Sequence, residues 1–111
     1  MNRTFRSRVG RFIFCLTLTA VFSSVASGQG DIEKLYKSKC LGCHGEDGSA
    51  NTKAGKNTGA HDFRQADVSK ETDATLIEVV TKGRKKMPKF EEKLKGKEIK
   101  ELVDYVRHFS K

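Results

Sequence analysis

The sequence predicts an all-α domain of three or more helices. Three observations carry this expectation. Apolar residues recur at three- and four-residue steps in stretches near 31–39, 72–82 and 97–110. The first stretch runs directly into Cys40-Leu41-Gly42-Cys43-His44, whose spacing suits a helical turn. The polar, glycine-rich segment from Gly45 to Val68 is longer than an ordinary connection and needs a surface to wrap.

The chain has 111 residues, enough for one domain. Its 22 basic and 14 acidic side chains could suggest a nucleic-acid partner. The distribution of charge argues against one. Met1 to Arg11 holds Arg3, Arg6, Arg8 and Arg11 and no acid, Phe12 to Val25 is apolar with Thr and Ser mixed in, and Ala26-Ser27-Gly28 offers small residues before Gln29. Together these predict a secretory signal peptide over residues 1–28, cleaved near Gly28-Gln29. The apolar run is shorter than the ~20 residues of a membrane span, so the mature form is expected to have no stable span. Cys15 reads as a plain apolar residue of the signal, because Phe12-Ile13-Phe14 is too bulky for a lipoprotein cleavage site.

Residues 29–111 form the expected domain, with 18 basic and 14 acidic side chains, a net charge of +4. Only 26 of these 83 residues are apolar, a thin core for independent folding. Their two cysteines, Cys40 and Cys43, cannot staple the fold if both are committed elsewhere.

A Cys-x-x-Cys pair alone could be a redox dithiol or half a zinc site. Zinc would need a second ligand pair, and the domain has no other cysteine. A dithiol motif is expected after a strand, whereas residues 31–39 are charged and helical in pattern. With His44 directly following, the motif reads as the attachment site of one c-type haem per chain. Two thiols three residues apart lie on one helical face and can form thioethers with one porphyrin. His44 is then the proximal iron ligand.

The rest of the chain reads in order. Asp31 is the expected N-cap of the first helix, with Ile32, Leu35 and Tyr36 at helical spacing. Phe63 and Val68 are the expected inward anchors of the loop after His44. Thr72 is the expected N-cap of the second helix, with Ser69 a rival start. Leu76, Ile77, Val79 and Val80 form its apolar face, and Gly83 ends it. Met87, amid Arg84, Lys85, Lys86 and Lys89, is an apolar residue in a polar loop, and its thioether is a soft ligand for haem iron. Pro88 stiffens that loop. The last helix is expected from Lys97 to about Ser110, with Ile99, Leu102, Val103, Val106 and Phe109 as its stripe.

These residues resemble the class I c-type cytochromes, in particular the small bacterial and photosynthetic mono-haem type. The resemblance spans Tyr36, Cys40–His44, the run His44-Gly45-Glu46-Asp47-Gly48, the helix ending at Gly83, Met87-Pro88-Lys89-Phe90 and Tyr105-Val106. It implies the cytochrome c fold, with the first and last helices crossing beside the haem and Tyr36 and Tyr105 at or near the crossing. Tyr36, Phe63, Pro88, Phe90 and Tyr105 are the residues expected to pack around the haem. It implies His44 and Met87 as opposite axial ligands and one-electron transfer in the periplasm. Relatives often have proline where this chain has His61, before Asp62-Phe63, which leaves His61 and His108 open as rival ligands to Met87.

The expected function is that of a monomeric electron carrier serving acidic redox partner proteins, such as a membrane oxidase, reductase or dehydrogenase. Lys82, Arg84, Lys85, Lys86 and Lys89, with Lys53 and Lys56, form the expected docking collar. The alternative is a small haem enzyme or gas sensor whose sixth iron ligand is absent or displaceable. A third reading is a cytochrome module held permanently on a larger complex.

Overall fold

The computed structural model describes residues 28–111. The signal peptide expected over residues 1–28, Cys15 included, lies outside the described residues except for Gly28. The described residues form six helices, α1 (Gln29–Lys39), α2 (Leu41–His44), α3 (Lys53–Thr58), α4 (Ala66–Lys70), α5 (Asp73–Lys82) and α6 (Gly96–Val106), closed by a 3₁₀ turn at Arg107–Ser110. Among them the only ladder contact is an isolated bridge between Arg84 and Met87, so the fold is all-α as expected. None of these helices is long and apolar enough to cross a membrane.

Helix α1 packs on α6, and α6 on α5. The core lies between them, built from Tyr36, Phe90, Leu94, Ile99 and Leu102, with Val103 also buried. Tyr36 is only 1% exposed. Its ring meets Tyr105 at 5.2 Å and Phe109 at 5.4 Å between centroids. Its hydroxyl donates to the Gly45 carbonyl at 2.7 Å, which satisfies the one polar atom this burial would otherwise strand. Burial pushes the Tyr36 phenol well above its ordinary pKa, so it stays protonated.

Two helix starts differ from expectation. Helix α1 begins at Gln29, not after Asp31. Gly28 takes a left-handed conformation (φ 67°), and its carbonyl accepts from Asp31 N at 3.0 Å and Ile32 N at 2.9 Å. Asp31 therefore sits inside the first turn, where its charge meets the helix dipole. Helix α6 begins at Gly96 because the Glu98 carboxylate reaches back to Lys95 N at 2.7 Å. Its last turn tightens to 3₁₀ after Val106.

The segment read as one long loop contains two short helices. Thr52 caps α3 by accepting from Gly55 N at 2.8 Å, and Gly59 (φ 68°) ends it. Helix α4 carries the buried Val68. Helices this short have little intrinsic stability and depend on tertiary contact. For α4 that contact centres on Arg107. Its guanidinium donates to the Val68 carbonyl at 3.2 Å, the Ser69 carbonyl at 3.3 Å and the Asp73 carboxylate at 2.7 Å. One side chain thus ties the α4–α5 connection to the end of α6. Helix α5 starts as expected, with the Thr72 hydroxyl accepting from Thr75 N at 3.1 Å, and ends at Gly83. Ser69, the rival start, lies within α4.

Candidate functional site

Helix α2 holds most of the chemistry. Cys40 is its N-cap residue, and Cys43 and His44 lie on its single turn. The chain turns sharply afterwards at Gly45 (φ 79°), where the Tyr36 hydroxyl holds the carbonyl. Both thiols are free and half-buried. Burial, with Cys43 adding to it, pushes the Cys40 thiol up to about 11. A reactive dithiol requires the opposite shift, so this environment does not suit redox exchange.

The imidazole of His44 is 8% exposed. Burial holds its pKa below the ordinary histidine value, which favours the neutral, metal-binding form. Its Nδ1 lies 3.1 Å from the His61 carbonyl oxygen. A carbonyl only accepts, so Nδ1 carries the proton and Nε2 keeps its lone pair for a ligand bond. Phe63 stacks on the same ring, centroids 4.2 Å apart and planes 16° apart.

Helix α3 presses on α2 from outside. The Thr52 hydroxyl lies 2.8 Å from the Gly42 carbonyl and 3.1 Å from that of Cys43. Gly55 is buried so closely that a Cβ there would strike the Cys43 and Ala50 carbonyl oxygens. Neither residue stood out in the sequence. The only signal was the order Thr52-x-x-Gly55-x-x-x-Gly59, which reads equally well as loop.

Met87 sits on a tight hairpin. Arg84 N donates to the Met87 carbonyl at 3.2 Å and Met87 N to the Arg84 carbonyl at 2.9 Å, leaving Lys85 and Lys86 at the tip. Gly83 (φ 76°) makes the approach possible, since a Cβ there would stand 2.6 Å from the Met87 oxygen. Beyond the hairpin, Phe90 N donates to the Val80 carbonyl at 3.1 Å, which anchors the strap to the end of α5. Lys86 Nζ donates to the Asn57 carbonyl at 3.0 Å, joining the hairpin to α3. Met87 is half-buried and packs against the core cluster. Pro88 is exposed, whereas Phe90 is buried beside Tyr36 in the core.

The other histidines are engaged elsewhere. The His61 ring points to Asp67, at 3.5 Å, and is about half exposed. His108 Nδ1 lies 2.9 Å from the Asp104 carbonyl at the end of α6. Helix α5 shows the converse. Leu76, Ile77, Val79 and Val80 are all only half-covered, and the helix has no buried residue. Ile77 and Val80 touch the core cluster, leaving Leu76 and Val79 without that cover.

The chain matches the family described as cytochrome c oxidase, cbb3-type, subunit III over residues 29–106. Its fold is similar to a solved structure described as KustC0563 c-type cytochrome, at a TM-score of 0.66 and 41% sequence identity, covering 71% of this chain and 96% of that one. The chain belongs to the c-type cytochromes. A comparison with curated proteins gives no match. Membership makes covalently bound haem c, with its iron, the cofactor of this cytochrome, and haem-based electron transfer its chemistry. The residues described above fit that group: two unpaired thiols on one turn, a neutral imidazole with Nε2 open, a thioether on a braced hairpin, and apolar side chains on α5 that the protein alone leaves half-covered.

Proposed function

We propose that this cytochrome is a periplasmic one-electron carrier. Cys40 and Cys43 would hold the haem through thioethers, and His44 and Met87 would be the side chains that bind its iron. When bound, the haem supplies a metal that alternates between Fe(III) and Fe(II). The observation that carries the reading is His44: a buried, neutral imidazole whose Nδ1 is already committed to the His61 carbonyl. The residue lies on the turn that bears both thiols. Met87 would supply its thioether from a hairpin whose backbone is braced by Arg84 and Phe90, so little of the chain would need to rearrange as the charge changes. A thioether also favours a higher reduction potential than a second imidazole. The engaged rings of His61 and His108 support Met87 over either as the sixth ligand.

Optical spectra of the exported protein, oxidised and reduced, test this reading. The expected result is a covalently bound, low-spin haem with a thioether-to-iron charge-transfer band in the oxidised form. A high-spin spectrum that responds to added carbon monoxide without any mutation would support the enzyme or sensor instead.

The basic collar around Met87 is thinner than the sequence suggests. Lys82 pairs with Glu78 at 2.9 Å, and Lys89 with Glu91 and Glu92 at 3.2 and 3.0 Å. The excess positive charge falls on Arg84, Lys85 and Lys86, with Lys53 and Lys56 exposed nearby on α3. These residues would steer an acidic partner toward the hairpin. The family description, an oxidase subunit, favours a second reading in which the same domain is a fixed module of a larger complex. Stopped-flow oxidation by an acidic partner separates the two. A bimolecular rate that falls several-fold between low and physiological salt is expected of the free carrier. A salt-independent, unimolecular rate in co-purified material would mark the module.

A further inference from the structure

We propose that the Asp62–Arg64 pair clasps residues 61–64, the bracket that orients the His44 imidazole. This rests on the reading of His44 as an axial ligand. Two contacts define the bracket. The His61 carbonyl receives the Nδ1 proton at 3.1 Å, and Phe63 lies flat against the ring at 4.2 Å. The hydrogen bond fixes one edge of the imidazole and the stack fixes its plane, so neither ring rotation stays free. Phe63 is itself held by its amide, which donates to the Gly48 carbonyl at 2.8 Å, and by a second ring, Phe109, at 6.2 Å.

The bracket lies between α3 and α4 and has no helical ladder of its own. What holds it is a fork. Arg64 Nε and Nη2 each lie 2.9 Å from an oxygen of Asp62, and Arg64 N donates to the same carboxylate at 2.9 Å. The guanidinium keeps Asp62 ionised well below the usual carboxylate range. Arg64 Nη1 also reaches Asp47 at 3.7 Å, on the loop that leaves His44. The clasp therefore joins the strap that orients the imidazole to the segment that carries it. A fork of this kind needs arginine, because lysine offers a point charge without the planar geometry. Asp62 and Arg64 are positioning residues on this account, since they act only through His44.

The consequence is electronic as well as geometric. A hydrogen bond from Nδ1 to an acceptor raises the basicity of Nε2, which favours the oxidised metal. Loosening the bracket should shift the potential upward and let the Nδ1 proton exchange with water.

The test uses the holoprotein. The double variant Asp62→Asn/Arg64→Gln removes both charges without changing the net charge, and Arg64→Lys keeps the charge but not the fork. Arg107→Lys, which weakens the remote staple, controls for general destabilisation. Nuclear magnetic resonance follows the hyperfine-shifted His44 ring protons, and redox titration gives the potential. In both bracket variants we expect Nδ1–H exchange roughly tenfold faster and a higher Fe(II)/Fe(III) ratio at fixed applied potential, with neither change in Arg107→Lys. Unchanged exchange and potential in the double variant would overturn the clasp, as would equal changes in the control. Absence of hyperfine-shifted His44 resonances from the wild-type protein would remove the ligand assignment along with it.

Discussion

A chain carrying Cys40→Ala and Cys43→Ala, purified free of haem, is expected to lose most of its helical far-UV circular dichroism and to show no cooperative transition in urea. The reason lies in what the protein covers without the porphyrin. The buried apolar side chains among the described residues are Tyr36, Ala50, Val68, Phe90, Leu94, Ile99, Leu102 and Val103. Most of them line the α1–α6 side. Helix α5 buries none of its residues, and α2, α3 and α4 are four, six and five residues long. Helices that short do not persist in water without packing. A single core in a domain near this size supplies only about 3–5 kcal/mol of stability, and full burial of each further large apolar side chain adds about 1.5–3 kcal/mol. Leu76 and Val79, left half-covered, add only part of that contribution. The stapling that small domains can obtain from disulfides is absent among the described residues, whose two cysteines are free. A cooperative urea transition in the haem-free variant would show that the polypeptide carries its own core.

Replacing Met87 by Ala is expected to abolish the thioether-to-iron charge-transfer band, open the metal to carbon monoxide and cyanide, and lower the reduction potential. The hairpin should survive the change. The Arg84–Met87 bridge uses backbone atoms alone, and the left-handed Gly83 that permits it is untouched. The effect should therefore appear at the metal and only weakly in the unfolding midpoint. On the proposed ligation, loss of the thioether removes a ligand that favours the reduced state. A fall of at least tenfold in the Fe(II)/Fe(III) ratio, about 59 mV for one electron, is the expected scale. A Met87→His variant should regain six-coordination without regaining the original potential. If Met87→Ala leaves the oxidised spectrum as it was, another group holds the sixth position. His61 and His108 would be the first to examine.

Much of this was legible in the chain, and the reasons are physical. Helices α5 and α6 announced themselves because each carries an apolar stripe at helical spacing, and α5 has both a capping threonine and a terminal glycine. The Cys40–His44 motif was legible because its spacing is a chemical requirement rather than a statistical preference. Helices α3 and α4 were not. Neither has an apolar stripe, and each exists by virtue of a contact that sequence does not display, Gly55 against α2 and Arg107 against the α4–α5 connection. The hairpin that presents Met87 was hidden too, since Arg84-Lys85-Lys86-Met87 lacks the usual turn residues and puts a lysine in the left-handed region (φ 54°). The brace on His44 was the least visible feature. It is a backbone carbonyl, so the identity of residue 61 says nothing about whether it is there.

Gly55 bears on how the molecule can be altered. Its α-carbon rests against the carbonyl oxygens of Cys43 and Ala50, leaving no room for even a methyl group. Its neighbours Ala54, Lys56 and Asn57 face solvent. Anyone reshaping the protein near Cys43 thus has Ala54 and Asn57 open to variation around one position that tolerates none. Random libraries across this short helix should return diverse residues at 54 and 57 and glycine alone at 55.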